Sequence, residues 1–418
     1  MKQLYKIFKQ YPNICTDTRQ MDPNALFFCL KGDNFDGNKF ALQAAEMGAK
    51  LVITEDKSLM GDPRFFYVKD ALRCLQKLAC YHRKQFKIPV IGITGTNGKT
   101  TTKELVNAVL SKRYKTVATQ NNFNNHIGVP LTLLSIRPDD EVAIIEMGAN
   151  HQGEIAELCK IARPTHAHIT NIGIAHLEGF GSMKALVKTK IALFRFVRAR
   201  HGMIYVNMHD PIVSRYFPRR YKNAIFYGMN PHLYESKESS NSPFLQLLLY
   251  KKEVKTHLTG QYNLFNILTA SVIGEDFNVS EEAIIEAIES YIPSNNRSQV
   301  VQCGNNTLII DYYNANPSSM KAALYNLSAI QHPRKLAILG DMYELGTSSN
   351  AAHQKVVDLC NELNINALFI GSEFESCHPN HTFENMAALN SYLAAHHPEN
   401  TLILLKGSRG MKMENVRI

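Results

Sequence analysis

The apolar positions of this chain fall into short runs that stop at polar or glycine-rich residues, and the rhythm recurs along its length. Near the start, ALFFCL (25–30) reads as a strand followed by the turn-rich KGDNFDG. Residues 39–47 carry helical spacing that Gly48 stops, and LVIT (51–54) is a second strand. A stripe over 71–86 predicts a helix that closes this unit before Pro89. VIGIT (90–94) then runs into GTNGK and TTTKELVNAVL, a strand, a glycine loop and a helix. Strand-like runs at 142–145 and 167–169 halt at Glu146-Met147-Gly148 and Thr170-Asn171, and the less regular stretch 230–258 predicts hairpins on one edge. Past 295, four apolar runs (TLIID, KLAILG, ALFIG, TLILLK) each end in polar or glycine-rich residues. The first leads into a helix with Asn316 as N-cap and Pro317 at its first position.

Strands alternating with helices require a mostly parallel sheet with helices on its faces, and ligands of such sheets bind beyond the carboxyl ends of the strands. The expected fold is therefore α/β with three domains. A small α/β N-terminal domain spans 1–88, a central P-loop domain with a mostly parallel sheet spans 89–294, and a C-terminal Rossmann-like domain spans 295–418.

The strongest chemical signal is the loop Gly95, Thr96, Asn97, Gly98, Lys99, Thr100, Thr101 between a strand and a helix. Glycines let backbone N–H groups wrap phosphate oxygens, and the following helix N-terminus adds a favourable dipole. Lys99 is placed to reach the β- and γ-phosphates of ATP, and Thr100 to ligate Mg²⁺. The loop departs from the strict P-loop pattern, because Ile93 stands at the first glycine position and Gly95 supplies the turn. Glu146, at the end of a buried strand, suits the same Mg²⁺.

The helix expected after Ser182 carries Met183, Leu186, Leu193, Phe194 and Val197 on one face, with Lys184, Lys188 and Arg195 opposite. Lys190 falls on the apolar face. A lysine there is costly unless paired or chemically altered, and burial favours its neutral, reactive amine. His176 sits in the glycine-rich loop NIGIAHLEGFG before this helix, as a metal ligand or a phosphate contact.

Composition narrows the picture. The chain has 418 residues, 45% hydrophobic and 20% charged, enough for several soluble domains. No apolar run has the length of a membrane helix, and the basic start lacks the apolar region of a signal peptide. The eight cysteines include no CxxC pair, so reduced thiols in the cytoplasm are expected rather than disulfides or a zinc site. The net charge of +9 is spread along the chain without a basic tail or RNA-binding aromatics. It therefore reads as a solvated basic surface, compatible with phosphate-rich small substrates, and leaves a nucleic-acid-stimulated P-loop ATPase as the rival from another class.

Together these segments resemble the Mur ligases, ATP-dependent enzymes that form amide bonds in peptidoglycan precursor synthesis. The resemblance runs from about residue 16 to 414 and is strongest to the members that add D-alanyl-D-alanine to UDP-N-acetylmuramoyl-tripeptide. Members adding a single amino acid, and folylpolyglutamate synthase with its GTNGKGS loop, are the nearer rivals. TDTR (16–19) and LFFCLKGDNFDGNKF (26–40) are similar to the family's uridine-nucleotide signature, which implies that Thr18, Arg19, Lys31 and Gly32 lie near the UDP-sugar. GTNGKTTT is similar to its ATP loop, and NFNNHIGVPLTLL implies that Asn125 approaches the substrate. The resemblance implies that Lys190 is carbamoylated by CO₂, giving an anionic Mg²⁺ ligand beside His176, with Glu146 from EMGAN on a second ion. GQYNLFNILTA implies adenine contacts from Asn263 and Asn266, with Tyr262 at a position that is often histidine. Arg297 and Asp311 are implied to contact ATP. DYYNANPSSM, LGDMYELG and LLKGSRGMKME imply that Asn314, Asn316, Lys406 and Ser408 lie near ATP or the incoming amine. The implied enzyme is a cytoplasmic monomer whose domains close over their substrates about residues 294–298.

Overall fold

The computed structural model describes every residue except 33–34, 174–176, 218–219, 229–233, 238–241 and 295. Three sheets organise the chain. The first is fully parallel, in the order Ile14–Cys15, Leu26–Phe28, Leu51–Thr54, Phe65–Tyr67. The central sheet is also parallel, in the order Ala224–Tyr227, Met203–Asn207, His166–Ile169, Val90–Thr94, Val142–Glu146, Thr116–Ala118. The third has Gln299–Cys303 antiparallel to Asn306–Ile310, followed by Leu402–Lys406, Lys335–Gly340, Asn366–Ile370 and Thr382–Phe383, all parallel. Val90–Thr94 and Val142–Glu146 are buried at all five positions, as strands covered on both faces must be, and this is why they read as unbroken apolar runs.

The helices Lys99–Leu110 and Leu264–Asp276 cover one face of the central sheet through Leu105, Val109, Ile267 and Ile273. The helices Glu154–Ala162 and Met183–Arg198 cover the other through Leu158, Leu186 and Phe194. That second cluster continues into the first unit, because Leu75 and Leu78 of the helix Ala71–Arg83 belong to it together with Leu133 and Leu158. This helix thus joins two units. It stops at Arg83, short of the expected end, because the following turn is closed by bonds from Gln85 N to His82 O and Phe86 N to Arg83 O.

Several local expectations change. A helix Lys2–Gln10 opens the chain and buries Leu4 and Phe8, one turn apart. Residues 39–47 divide between a 3₁₀ turn, Gly37–Phe40, and a short helix, Ala41–Glu46. The irregular stretch near 230–258 forms a separate antiparallel sheet of Tyr234–Lys237, Gln246–Leu249 and Lys252–Lys255, not an edge extension. Leu247, Leu249 and Val254 point inward and pack in the cluster that holds Ile273, Ile284 and Ile288.

The core also contains a titratable group. His168, on a central strand, lies between the Tyr205 carbonyl at 3.2 Å and Thr269 Oγ1 at 3.4 Å. Burial drives its imidazole down to about 4. The unfolded chain takes up this proton near the ordinary 6.5 and the folded chain does not, so stability is full above that range and is lost as pH falls from about 6.5 towards 4. The thermal midpoint is expected to fall through this window, and His168→Phe to flatten the slope. An unchanged slope in the variant would contradict the assignment.

Candidate functional site

Strand Val90–Thr94 delivers the chain into a loop that only glycine can make. Gly95 has φ +152°, and a Cβ there would lie 1.8 Å from Thr170 Oγ1. Gly98 has φ +78°, and its Cβ would lie 2.7 Å from Asn266 Oδ1. The loop is held from the neighbouring strand end. Thr96 N donates to Asn171 O at 2.9 Å and Asn97 N to Asn171 Oδ1 at 3.0 Å. The Asn97 carbonyl accepts from Thr170 Oγ1 at 2.6 Å and Asn171 Nδ2 at 3.0 Å.

Two lysines share one acceptor behind this loop. Lys99 Nζ donates to the carbonyls of Gly95 at 3.0 Å and Thr96 at 2.9 Å, and Lys190 Nζ donates to Gly95 O at 2.8 Å. Burial, with Arg297 adding to it against the opposing pull of Glu146, brings the Lys99 ammonium down to about 8. Lys190 is 3% exposed on the apolar face of a helix capped by Ser182, as its spacing predicted. Burial first, and the Lys99 charge second, push Lys190 well below the usual lysine range, with Glu154 opposing. Both effects disfavour the charged ammonium relative to an exposed lysine.

Glu146 ends strand Val142–Glu146 and is 1% exposed. Its N–H donates to Thr119 Oγ1 at 3.0 Å, and Oε1 accepts from Asn124 Nδ2 at 2.8 Å. Among the described residues, two buried side-chain polar atoms lack a partner, Glu146 Oε2 and Arg297 Nε. The Arg297 guanidinium lies over the Tyr313 ring, 3.7 Å from its centroid. Glu146, Arg297 and Tyr313 all line one cavity of about 1050 Å³.

This cavity lies beyond the carboxyl ends of both large parallel sheets. From the central unit it takes Thr96, Asn97, Gly98, Lys99, Thr101, Asn125, Glu146, Asn263 and Asn266. The carboxyl-terminal part adds Arg297, Asp311, Asn314, Asn316 and Lys406. Asp311 and Lys406, at the ends of adjacent strands, pair at 2.6 Å. Asn263 and Asn266 brace the loop rather than stand free: Asn263 Nδ2 donates to Thr259 O at 2.7 Å, Asn266 Nδ2 to Asn263 Oδ1 at 2.8 Å, and Thr102 Oγ1 to Asn266 Oδ1 at 3.0 Å. Asn125 lies just ahead of the helix Gly128–Leu134, and its Oδ1 accepts from the N–H groups of Ile127 and Gly128.

Other expected residues lie off the cavity wall. Gly95, Thr100 and Lys190 are buried beneath it. Ser408 is 2% exposed and accepts from Tyr343 N at 2.9 Å. Thr18, Arg19, Lys31 and Gly32 sit on the first unit, where Arg19 pairs with Asp17 and Lys31 with Glu55 at 2.9 Å. His176 falls outside the described residues. Sequence reasoning did not single out Asn124, Thr170, Asn171, Tyr313 or Ser318. Asn124, Asn171, Tyr313 and Ser318 all lie inside the motifs given above, but nothing local marks Tyr313 as a shelf for a guanidinium.

Among the described residues no three His, Cys, Asp or Glu side chains gather as a metal cage. One buried carboxylate oxygen without a partner, beside a phosphate-type loop, instead suits Mg²⁺, which takes few protein ligands and completes its shell with phosphate and water.

Three family models cover most of the chain: one described as Mur ligase family, catalytic domain, over residues 10–92; Mur ligase middle domain over 93–274; and Mur ligase, glutamate ligase domain, over 296–409. The UDP-N-acetylmuramoyl-tripeptide–D-alanyl-D-alanine ligase of Bacillus subtilis (strain 168) is 31% identical over 424 residues, covering 96% of this chain and 92% of the relative. A crystal structure of MurF from Acinetobacter baumannii superposes with a TM-score of 0.85 at 30% identity, covering 97% and 92% of the two chains. MurF from Thermotoga maritima in complex with ADP gives 0.86 at 26%, covering 100% and 97%.

Proposed function

The chain belongs to the Mur ligase family, and on that basis we propose that it joins D-alanyl-D-alanine to UDP-N-acetylmuramoyl-tripeptide while ATP is cleaved to ADP and phosphate. The observation that carries the reading is a pair of buried atoms without partners, Glu146 Oε2 and Arg297 Nε, on residues that line one cavity together with Lys99. A carboxylate waiting for a cation and a guanidinium waiting for an anion match the two faces of a metal-bound triphosphate.

The carboxylate of the tripeptide attacks the γ-phosphorus of ATP. An O–P bond forms, the bond to the β-bridging oxygen breaks, and ADP leaves. Lys99 and Arg297 offset the charge on the transferred group, and the loop's N–H groups hold the phosphates in line. The dipeptide amine, in its neutral form, then attacks the acyl carbon. A C–N bond forms, the C–O bond breaks, and phosphate departs with that oxygen and takes up the proton that the amine nitrogen loses. Thr100 with Glu146, and a carbamoylated Lys190 with His176, would hold Mg²⁺, which would supply charge neutralisation at the phosphate oxygens. The neutral Lys190 amine is the form that adds CO₂, losing a proton and becoming anionic. Thr18, Arg19, Lys31 and Gly32 would serve the UDP-sugar, while Asn125, Asn314, Asn316, Lys406 and Ser408 would place the tripeptide and the dipeptide. This reading takes the enzyme as a monomer acting in the cytoplasm. Among the described residues no helix is long and apolar enough to cross a membrane.

An acceptor screen tests this reading. With UDP-N-acetylmuramoyl-tripeptide and MgATP, D-alanyl-D-alanine is expected to give a product heavier by one dipeptide less water, and single amino acids none. Products with a single amino acid only, or ATP hydrolysis that responds to DNA instead of the dipeptide, would overturn it.

A further inference from the structure

The ATP loop and the carboxyl-terminal unit meet through three side chains. Asn97 Nδ2 donates to Ser318 Oγ, Ser318 Oγ donates to Asn316 Oδ1, and Asn316 Nδ2 donates to Asn97 Oδ1, each at 2.8 Å. The ring is closed and runs in one sense, so each bond polarises the next. We propose that Asn97, Asn316 and Ser318 form a latch that holds the third unit shut on the ATP loop and thereby decides whether the activated acyl group is passed to the amine or lost to water. The proposal rests on the ligase reading above.

Both halves of the latch are fixed before they meet. The backbone of Asn97 is fully engaged with Thr170 and Asn171, so its side chain is left to face the seam. Asn316 is the N-cap of the helix Pro317–Ala329, with Oδ1 accepting from Ser319 N at 2.9 Å and Ser319 Oγ accepting from Asn316 N at 3.0 Å. Ser318 lies in the first turn and abuts Gly173, where a Cβ would come within 3.2 Å of Ser318 Oγ. The latch therefore pulls the positive end of a 13-residue helix onto a loop that already carries the N-terminus of the helix Lys99–Leu110. A hydrogen bond fails beyond a few tenths of an ångström, so this ring closes only when the loop is wrapped and the third unit is seated.

The chain between the units stores the alternative. Asn296 has φ +54° and Ser298 φ +51°, left-handed values that a serine seldom adopts. Ser298 is held there by Tyr262 Oη at 2.9 Å and by its N–H donating to Asp311 Oδ1 at 3.2 Å. Releasing the latch frees this strained link to relax, and opening admits water to the acyl phosphate.

Asn97, Asn316 and Ser318 are positioning residues in this scheme, and the readout is coupling. Ser318→Ala removes the central hydroxyl. Asn316→Asp keeps an equally good N-cap but replaces the donor to Asn97 with an oxygen. Phosphate released per ligated product, measured with UDP-N-acetylmuramoyl-tripeptide, D-alanyl-D-alanine and MgATP, is expected to rise about 3- to 10-fold in both variants, the factor that one hydrogen bond controls. KM for the dipeptide is expected to rise with it, at a thermal midpoint close to that of the parent. A stoichiometry that stays at the parent value in both variants would overturn the latch while leaving the ligase reading intact. A parallel fall of phosphate and product rates with a lowered midpoint would overturn it equally, since that is loss of fold. If the parent protein forms no dipeptide product, the ligase reading itself fails.

Discussion

Replacing Lys190 with alanine is expected to lower the ligation rate at least ~10³-fold, the scale of losing a charge-stabilising group at a phosphoryl-transfer centre. The expectation follows from where the amine sits. It is buried, it shares the Gly95 carbonyl with Lys99, and burial and that neighbour together disfavour its charged form. A neutral amine in this place is a poor phosphate ligand but a good nucleophile for CO₂, and the anion so formed would lie beside the Lys99 ammonium. Labelled bicarbonate is expected to give a carbamate ¹³C signal in the parent protein and none in Lys190→Ala. Formate or acetate, small enough to enter the vacated space, is expected to restore part of the activity. Full ligation by the variant would remove Lys190 from the chemistry.

Glu146→Gln is expected to show opposite effects on stability and on function. The amide keeps an acceptor for Asn124 Nδ2 and removes a buried negative oxygen that has no partner. A buried carboxylate oxygen without a hydrogen bond costs more than a buried amide, and this cost outweighs the pull of the carboxylate on the Lys99 ammonium. The metal-free variant is therefore expected to melt about 2–6 °C above the parent. Added Mg²⁺ with ADP is expected to raise the parent's midpoint strongly and the variant's weakly, while ligation falls about 10²- to 10³-fold. A variant that melts lower without metal, or that gains as much from Mg²⁺, would show that Glu146 is structural.

Much of the architecture was legible because fully covered parallel strands leave a simple trace. VIGIT, VAII and TLILL read as unbroken apolar runs, and each ends where the cavity begins. Lys190 was legible for a related reason, since a helical stripe assigns a face to every residue and a cation on the wrong face stands out. The separate three-stranded sheet was not legible, because QLLL alternates too weakly to show which neighbour its inner face would find. The opening helix was also missed, although Leu4, Tyr5, Ile7 and Phe8 fall on one face among lysines, because nine residues are a short window for reading a stripe. At the site, the ATP loop could be read as one contiguous motif. The Arg297–Tyr313 stack, the Asn124 bond to Glu146 and the ring joining Asn97 to Asn316 and Ser318 could not. Tyrosine and asparagine carry no chemistry that announces such a role, and these pairings depend on how loops from different strands converge. The brace formed by Asn263 and Asn266 behind Gly98 shows the same limit: the motif located the residues, and only the fold shows what their amides hold.

The central claim is that the tripeptide carboxylate is activated by phosphoryl transfer before the amine attacks. The most direct test is to label that carboxylate with ¹⁸O, run the reaction with MgATP and D-alanyl-D-alanine, and read the inorganic phosphate by mass. Phosphate is expected to carry one labelled oxygen for each dipeptide-bearing product formed. Unlabelled phosphate, released while product accumulates or without any product, would contradict it, because the γ-phosphate would then have gone to water and never to the carboxylate.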